Sequence, residues 1–190
     1  MVPVGIEVMN LFGGVACLDV MQLARHRQLD IARFENLLMK EKTVGLPYED
    51  PVTFGVNAAK PLVDALSASE KDRIEMLITC TESGIDFGKS ISTYLHHYLG
   101  LNRNCRLFEL KQACYSGTSG FQSGVNFILY QVSPGAKALV ITDNKITAVC
   151  ETDAETEKYV GPKPESSISR ADSSFRGLSM AMFTSIAPAN

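Results

Sequence analysis

The chain has 190 residues, a net charge of −3, and 45% hydrophobic and 21% charged content, proportions of an ordinary globular domain with one sizeable core. That balance gives no electrostatic case for nucleic acid or an anionic membrane as partner. No run approaches the roughly 18 uncharged apolar residues of a membrane span, and residues 1–7 lack the basic-then-apolar order of a secretory signal.

Taken in order, residues 4–12 are apolar apart from Gly5, Glu7 and Asn10 and predict a first strand, closed by a turn at Gly13-Gly14. Residues 18–27 and 30–40 carry helical spacing (Leu18, Met21, Leu23; Ile31, Phe34, Leu37, Leu38), with Asp30 as N-cap of the second. Residues 41–49 read as a loop. Asp50 as N-cap and Pro51 at the first position start a helix reaching about Ser67. Pro61 predicts a kink or boundary in it near Lys60. Residues 74–81 are nearly all apolar, as in a buried parallel strand, and end in the polar, flexible Thr81-Glu82-Ser83-Gly84. An amphipathic helix over 90–99 stops at Gly100. A strand at 105–110, a turn at Cys114, an apolar helix reaching residue 132, a break at Ser133-Pro134-Gly135 and a buried strand at 137–142 complete the pattern.

Strands alternating with helices predict an α/β fold with crossover connections. Ligands in such sheets gather at the carboxyl ends of the strands, so Glu82 and Cys114, each just past a strand, can share one pocket. From about residue 143 the character changes. The stretch is polar, holds Pro162 and Pro164, turns Ser- and Ala-rich, and shows no clear periodicity and no second set of strands. The expected division is a lobe at 1–142 and a divergent, disordered tail at 143–190.

Five scattered cysteines (Cys17, Cys80, Cys105, Cys114, Cys150) form no CxxC pair. An odd, unpaired set argues for reduced thiols in a cytoplasm over a disulfide framework or a zinc site, and most read as small buried hydrophobes. Cys114 differs, because a strand ends before it and a helix begins after it. The positive end of a helix favours thiolate over thiol, and a thiolate can hold an acyl group as a thioester. The bland alternative is a buried helix-entry cysteine. Ser116, Gly117, Ser119 and Gly120 tilt the reading toward a nucleophile, since a pure packing site would not need Gly117 and Gly120. Glu82 is commonly a solvated loop carboxylate in such a place. Facing the Cys114 pocket, it would be partly buried, its pKa raised, and usable as a general base. His26 sits in Arg25-His26-Arg27 on a solvated face. Of His96 and His97 one packs and one is wet, which leaves a Cys–His pair unsupported. Gly13-Gly14 is no phosphate loop, and neither a serine elbow nor a dinucleotide fingerprint is present.

Thr81-Glu82-Ser83-Gly84-Ile85-Asp86 and Gln112-Ala113-Cys114-Tyr115, in that order, resemble the two signatures of the 3-hydroxy-3-methylglutaryl-CoA synthase family. The resemblance covers about residues 4–141. Met39-Lys40-Glu41-Lys42, Leu46-Pro47-Tyr48-Glu49-Asp50-Pro51 and Phe87-Gly88-Lys89-Ser90 look most like its polyketide β-branching members. The resemblance implies the first lobe of a thiolase-like fold, followed by an aberrant tail. It implies that Cys114 takes an acetyl group beside a backbone oxyanion hole and that Glu82 removes a methyl proton. The carbanion then attacks a β-ketone on an acyl carrier protein, and hydrolysis frees the cysteine. No metal or redox cofactor is implied. The implied partners are an acyl carrier protein and acyl thioesters, with a homodimer for a full-length enzyme, in the cytoplasm. One alternative is a mevalonate-pathway synthase using free CoA thioesters. A third is an inactive fragment. The family's catalytic histidine comes from its second half, and none of the histidines at 26, 96 and 97 matches its motif. After residue 141 the family pattern gives way to the tail, as in a truncated or frame-shifted chain.

Overall fold

A computed structural model describes residues 4–36, 40–82, 84–113, 115–130, 133–145 and, as backbone, 176–186. The first apolar run is strand β1 (Val4–Phe12), after which Gly14 turns the chain at φ 78°. The helix expected over 18–27 is shorter. Cys17–Asp19 is a strand, β2, and α1 (Val20–His26) follows, its first turn capped by the Asp19 carboxylate accepting from the Gln22 N–H at 2.9 Å. Helix α2 (Ile31–Asn36) begins after Asp30, whose carboxylate accepts from the Ala32 N–H as expected of a cap. The stretch read as a loop contains strand β3 (Glu41–Thr43), antiparallel to β2. Strands of three residues are too short for a period of two to show in sequence. Val20, Ala24 and Phe34 form the small core of this segment.

Helix α3 (Pro51–Asp64) starts where predicted, with the Asp50 carboxylate accepting from the Thr53 N–H at 2.7 Å and its hydroxyl at 2.8 Å. It continues through Pro61 without the boundary expected near Lys60. Proline forfeits one helical hydrogen bond, and the buried Phe54, Ala58, Ala59 and Val63 hold both halves against the core. A short helix, α4 (Ala68–Asp72), follows a reciprocal Ser67–Glu70 capping box. Then come β4 (Ile74–Thr81), α5 (Ile91–Leu99) with Ser90 as N-cap and Gly100 left-handed at its end, β5 (Arg106–Lys111), α6 (Tyr115–Leu129) and β6 (Lys137–Lys145).

Strand β4 runs parallel to β5 on one side and β6 on the other. Its two faces meet different helices. Leu77 joins Leu139 and Ile141 of β6 with Ala58, Val63 and Leu95 of α3 and α5. Ile78 and Cys80 join Ala138 and Val140 with Ile128 of α6. The full order is β1-β7-β6-β4-β5, where β7 (Arg176–Ile186) pairs antiparallel with β1. This corrects the reading of the tail as strandless. Leu178, Met180 and Met182 do recur at every second residue, but Ser179 and Ala181 between them are small and the methionines are not β-branched, which weakens the strand signal. The boundary expected at 142 falls inside β6. Among the described residues the compact units are 4–13 with 49–145 and 178–186, and 14–48 with 176–177.

Candidate active site at the strand ends

Register brings the two sequence motifs together. Thr81, the last residue of β4, pairs with Lys111, the last of β5. Glu82 therefore leaves one strand at the level where Lys111-Gln112-Ala113 leaves its parallel neighbour. Cys114 lies outside the described residues. Its flanks are placed: Ala113 is left-handed at φ 39°, and Tyr115 opens α6. A side chain in that region costs about 1–2 kcal/mol, and such strain collects at functional turns. The turn is tied by the Gln112 carbonyl accepting from the N–H groups of Tyr115 and Ser116 at 3.0 and 3.1 Å. The buried Ser116 hydroxyl donates to the Ala113 carbonyl at 2.9 Å. A residue just before a helix of this length stands in its positive field.

Glu82 is exposed, not partly buried as expected of a base inside a pocket. Ser83 lies outside the described residues. The loop beyond is fastened at several points. The Asp86 carboxylate accepts from the N–H groups of Gly88 and Lys89 at 2.7 and 2.9 Å, and these bonds hold its carboxyl below the usual carboxylate range. The Lys89 ammonium lies 3.9 Å from the Tyr94 ring centre. Glu109, half-buried on β5, accepts the first N–H of α5, from Ile91, at 2.6 Å. Neither Glu109 nor Lys111 emerged from the sequence. The available signal was strand parity, since positions 107, 109 and 111 share the face on which Leu107 packs against α5.

The glycine argument for Cys114 is overturned. A methyl on Gly117 would stand 3.2 Å from Thr142 Cγ2, and one on Gly120 would collide with Cys80 Sγ. Gly120 lets α6 lie close on β4, so packing does require it, and at Gly117 the Thr142 methyl would have to give by a few tenths of an ångström. Two other thiols drop out as nucleophiles. Burial pushes Cys80 and Cys105 up to about 12 from an ordinary 9.0, which leaves them protonated near neutrality. Cys17 is exposed on β2, and Cys150 lies outside the described residues. Among the described residues no cluster of His, Cys, Asp and Glu could hold a metal, and no helix is long and apolar enough to cross a membrane.

No protein-family model matches the chain. It is 78% identical over 144 residues to the polyketide biosynthesis 3-hydroxy-3-methylglutaryl-ACP synthase PksG of Bacillus subtilis, a match covering 76% of this chain and 34% of that protein. It belongs to the 3-hydroxy-3-methylglutaryl synthase family. The solved structure of PksG, described as an HMG-CoA synthase, superposes with a TM-score of 0.83 at 63% identity, over 99% of this chain and 42% of that one. The curacin-pathway HMG synthase, solved with an apo donor acyl carrier protein, gives 0.80 at 53% identity, over 97% and 41%. The chain spans about a third of the length of the curated relative it matches, and the fold is the thiolase-like α/β arrangement that its resemblance implied.

For a member of this synthase family the third implied residue is a histidine. His26 is exposed on α1. His96 is half-buried, its Nε2 within 2.9 Å of the Asn102 carbonyl, and His97 is exposed against the Tyr98 ring. Asn102 precedes β5 and Lys111 ends it. At about 3.3 Å per residue the six-residue strand separates the two ends by roughly 20 Å. His96 and His97 therefore sit at the wrong edge of the sheet to serve the Cys114 turn.

Proposed function

We propose that this chain carries the acetyl-accepting and proton-abstracting part of a 3-hydroxy-3-methylglutaryl synthase acting in polyketide β-branching. The observation that supports this most is the register of β4 and β5, which sets Glu82 and the Cys114 turn at one edge of adjacent parallel strands. In the reading, the Cys114 thiolate attacks the carbonyl of an acetyl thioester, and the donor's thiolate leaves and takes a proton. The Glu82 carboxylate then removes a proton from the acetyl methyl. The carbanion forms a carbon–carbon bond to the β-ketone of a chain on an acyl carrier protein, the ketone oxygen is protonated, and water cleaves the thioester to restore the thiol. Aldol addition of this kind uses no metal or redox cofactor. A carrier protein is favoured over free CoA by the 78% identity to PksG, named as a 3-hydroxy-3-methylglutaryl-ACP synthase. The compartment in this reading is the cytoplasm, in keeping with reduced cysteines.

The test is intact-mass analysis after incubation with acetyl-CoA or an acetyl-loaded carrier protein. One acetyl group appears on the chain, maps to Cys114, and is absent from Cys114→Ser. An unacetylated protein with both donors sinks the reading; faster acetylation from acetyl-CoA than from the carrier protein would instead favour a mevalonate-type synthase.

A further inference from the structure

Strand β5 does more than lead to the cysteine. Two of its side chains, Glu109 and Lys111, project onto the loop of residues 82–90 that carries Glu82. The Glu109 carboxylate accepts from the Ile91 N–H at 2.6 Å, which ties the far end of the loop to the strand. A methyl group built on Gly84, two residues past Glu82, would stand 2.6 Å from Glu109 Oε1 and 2.9 Å from Lys111 Nζ. Both charged groups thus lie close to the loop at Gly84, and a side chain there would have to push their ends aside. Farther along, the Lys111 ammonium lies 5.6 Å from the ring centre of Phe87, a residue otherwise wholly exposed. Within the loop, Asp86 closes a turn on Gly88 and Lys89. Among the described residues, Glu109 and Lys111 of β5 both reach this loop.

We propose that Glu109 and Lys111 are positioning residues for Glu82. They fix the loop to the strand that bears the Cys114 turn, so that base and nucleophile are referenced to one rigid element. The inference rests on the acetyl-transfer reading above. A base must be held within hydrogen-bond reach of the proton it removes, and a displacement of about 1 Å can cost on the order of a hundred-fold in rate. An exposed carboxylate on a loop has no packing to hold it, so its position depends on how the loop is anchored.

Two readouts on the whole chain separate positioning from mere stability. Backbone hydrogen exchange reads the loop. In Glu109→Ala, amides of residues 84–91 exchange at least ten-fold faster while those of β4 are unchanged; Glu109→Gln, which keeps an acceptor for the Ile91 N–H, retains most of the protection. The second readout uses acetyl-CoA in D2O. Glu82 removes a methyl proton from the acetyl-enzyme, solvent returns a deuteron, and intact mass counts the deuterium. In Glu109→Ala, acetyl uptake changes less than two-fold while methyl deuteration slows at least ten-fold, and Glu109→Gln lies nearer the unmodified chain. Unchanged loop exchange, or faster loop exchange with unchanged methyl deuteration, overturns the proposal and leaves the function reading intact. Absent acetylation of the unmodified chain, or methyl deuteration persisting in Glu82→Gln, overturns that reading, and the positioning role falls with it.

Discussion

The two faces of β4 are packed by opposite means. Toward α6 the helix comes close because Gly120 has no side chain: Cys80 Sγ fills the space over it, and Val140 Cγ1 stands 3.2 Å from where a methyl would be. Toward α3 and α5 the space is filled by branched aliphatic side chains, Leu77, Leu95, Leu139 and Ile141. The one glycine there, Gly55, faces the ends of a single leucine, with Leu95 Cδ1 and Cδ2 both 3.1 Å from an added methyl. A contact made at a fixed strand cannot yield, whereas one made with the end of a long side chain can move by tenths of an ångström. The glycine-rich stretch after Cys114 is thus a packing device on the side of the sheet where the helix enters, next to any chemistry at the turn itself.

The largest break in that comparison comes from Gly120→Ala. Overpacking against Cys80, Val140 and Ile78 outweighs the gain in helix propensity, for a net loss of about 2 kcal/mol by urea unfolding. Cys80→Ala in the same chain makes room, so the double variant is more stable than the two single losses summed; strict additivity would show that Cys80 is not the obstacle.

Alkaline unfolding compares how dry the faces are, since Cys80 lies on the α6 side and Cys105 on the other. Each thiol stays protonated in the folded state up to about 12 but ionises near 9.0 when unfolded. Their contribution is fully present below pH 9 and is lost as pH rises toward 12, by roughly 1.4 kcal/mol per pH unit for each thiol. Cys80→Ala and Cys105→Ala should each flatten that slope by a similar amount. A slope that responds to only one of them would mark the other face as wet.

Smallest is the effect of Gly55→Ala. The helix gains about 1 kcal/mol from alanine, and a small shift of Leu95 costs a similar amount, so the urea midpoint moves little. A loss as large as that of Gly120→Ala would erase the distinction between the faces.

Residues 50–145 were far more legible in sequence than 14–48. Asp50-Pro51, Ser90 and Gly100 are local signals whose meaning does not depend on what packs nearby, and each marks the helix end it predicts. The apolar run at 74–81 is long enough to announce a buried strand. In contrast β2 and β3 owe their existence to each other, and no three-residue stretch encodes its partner. The Ser67–Glu70 capping box is a local signal of the same kind as Asp50-Pro51.

At the site, the candidate residues were legible because their types and order are chemical. TESGID and QACY name a carboxylate and a thiol, each placed after a strand, and the family follows from them. What tertiary structure alone decided is spatial. Register sets Thr81 level with Lys111, strand parity turns Glu109 toward the start of α5, and approach distance makes Gly120 a packing residue. It also leaves Glu82 exposed where a partly buried base was expected. Cys114 therefore keeps its assignment from sequence order and from the helix that follows it, while Gly120 belongs to the sheet. Composition and spacing act through neighbours in the chain, whereas register, parity and approach here depend on residues 18 to 40 positions away.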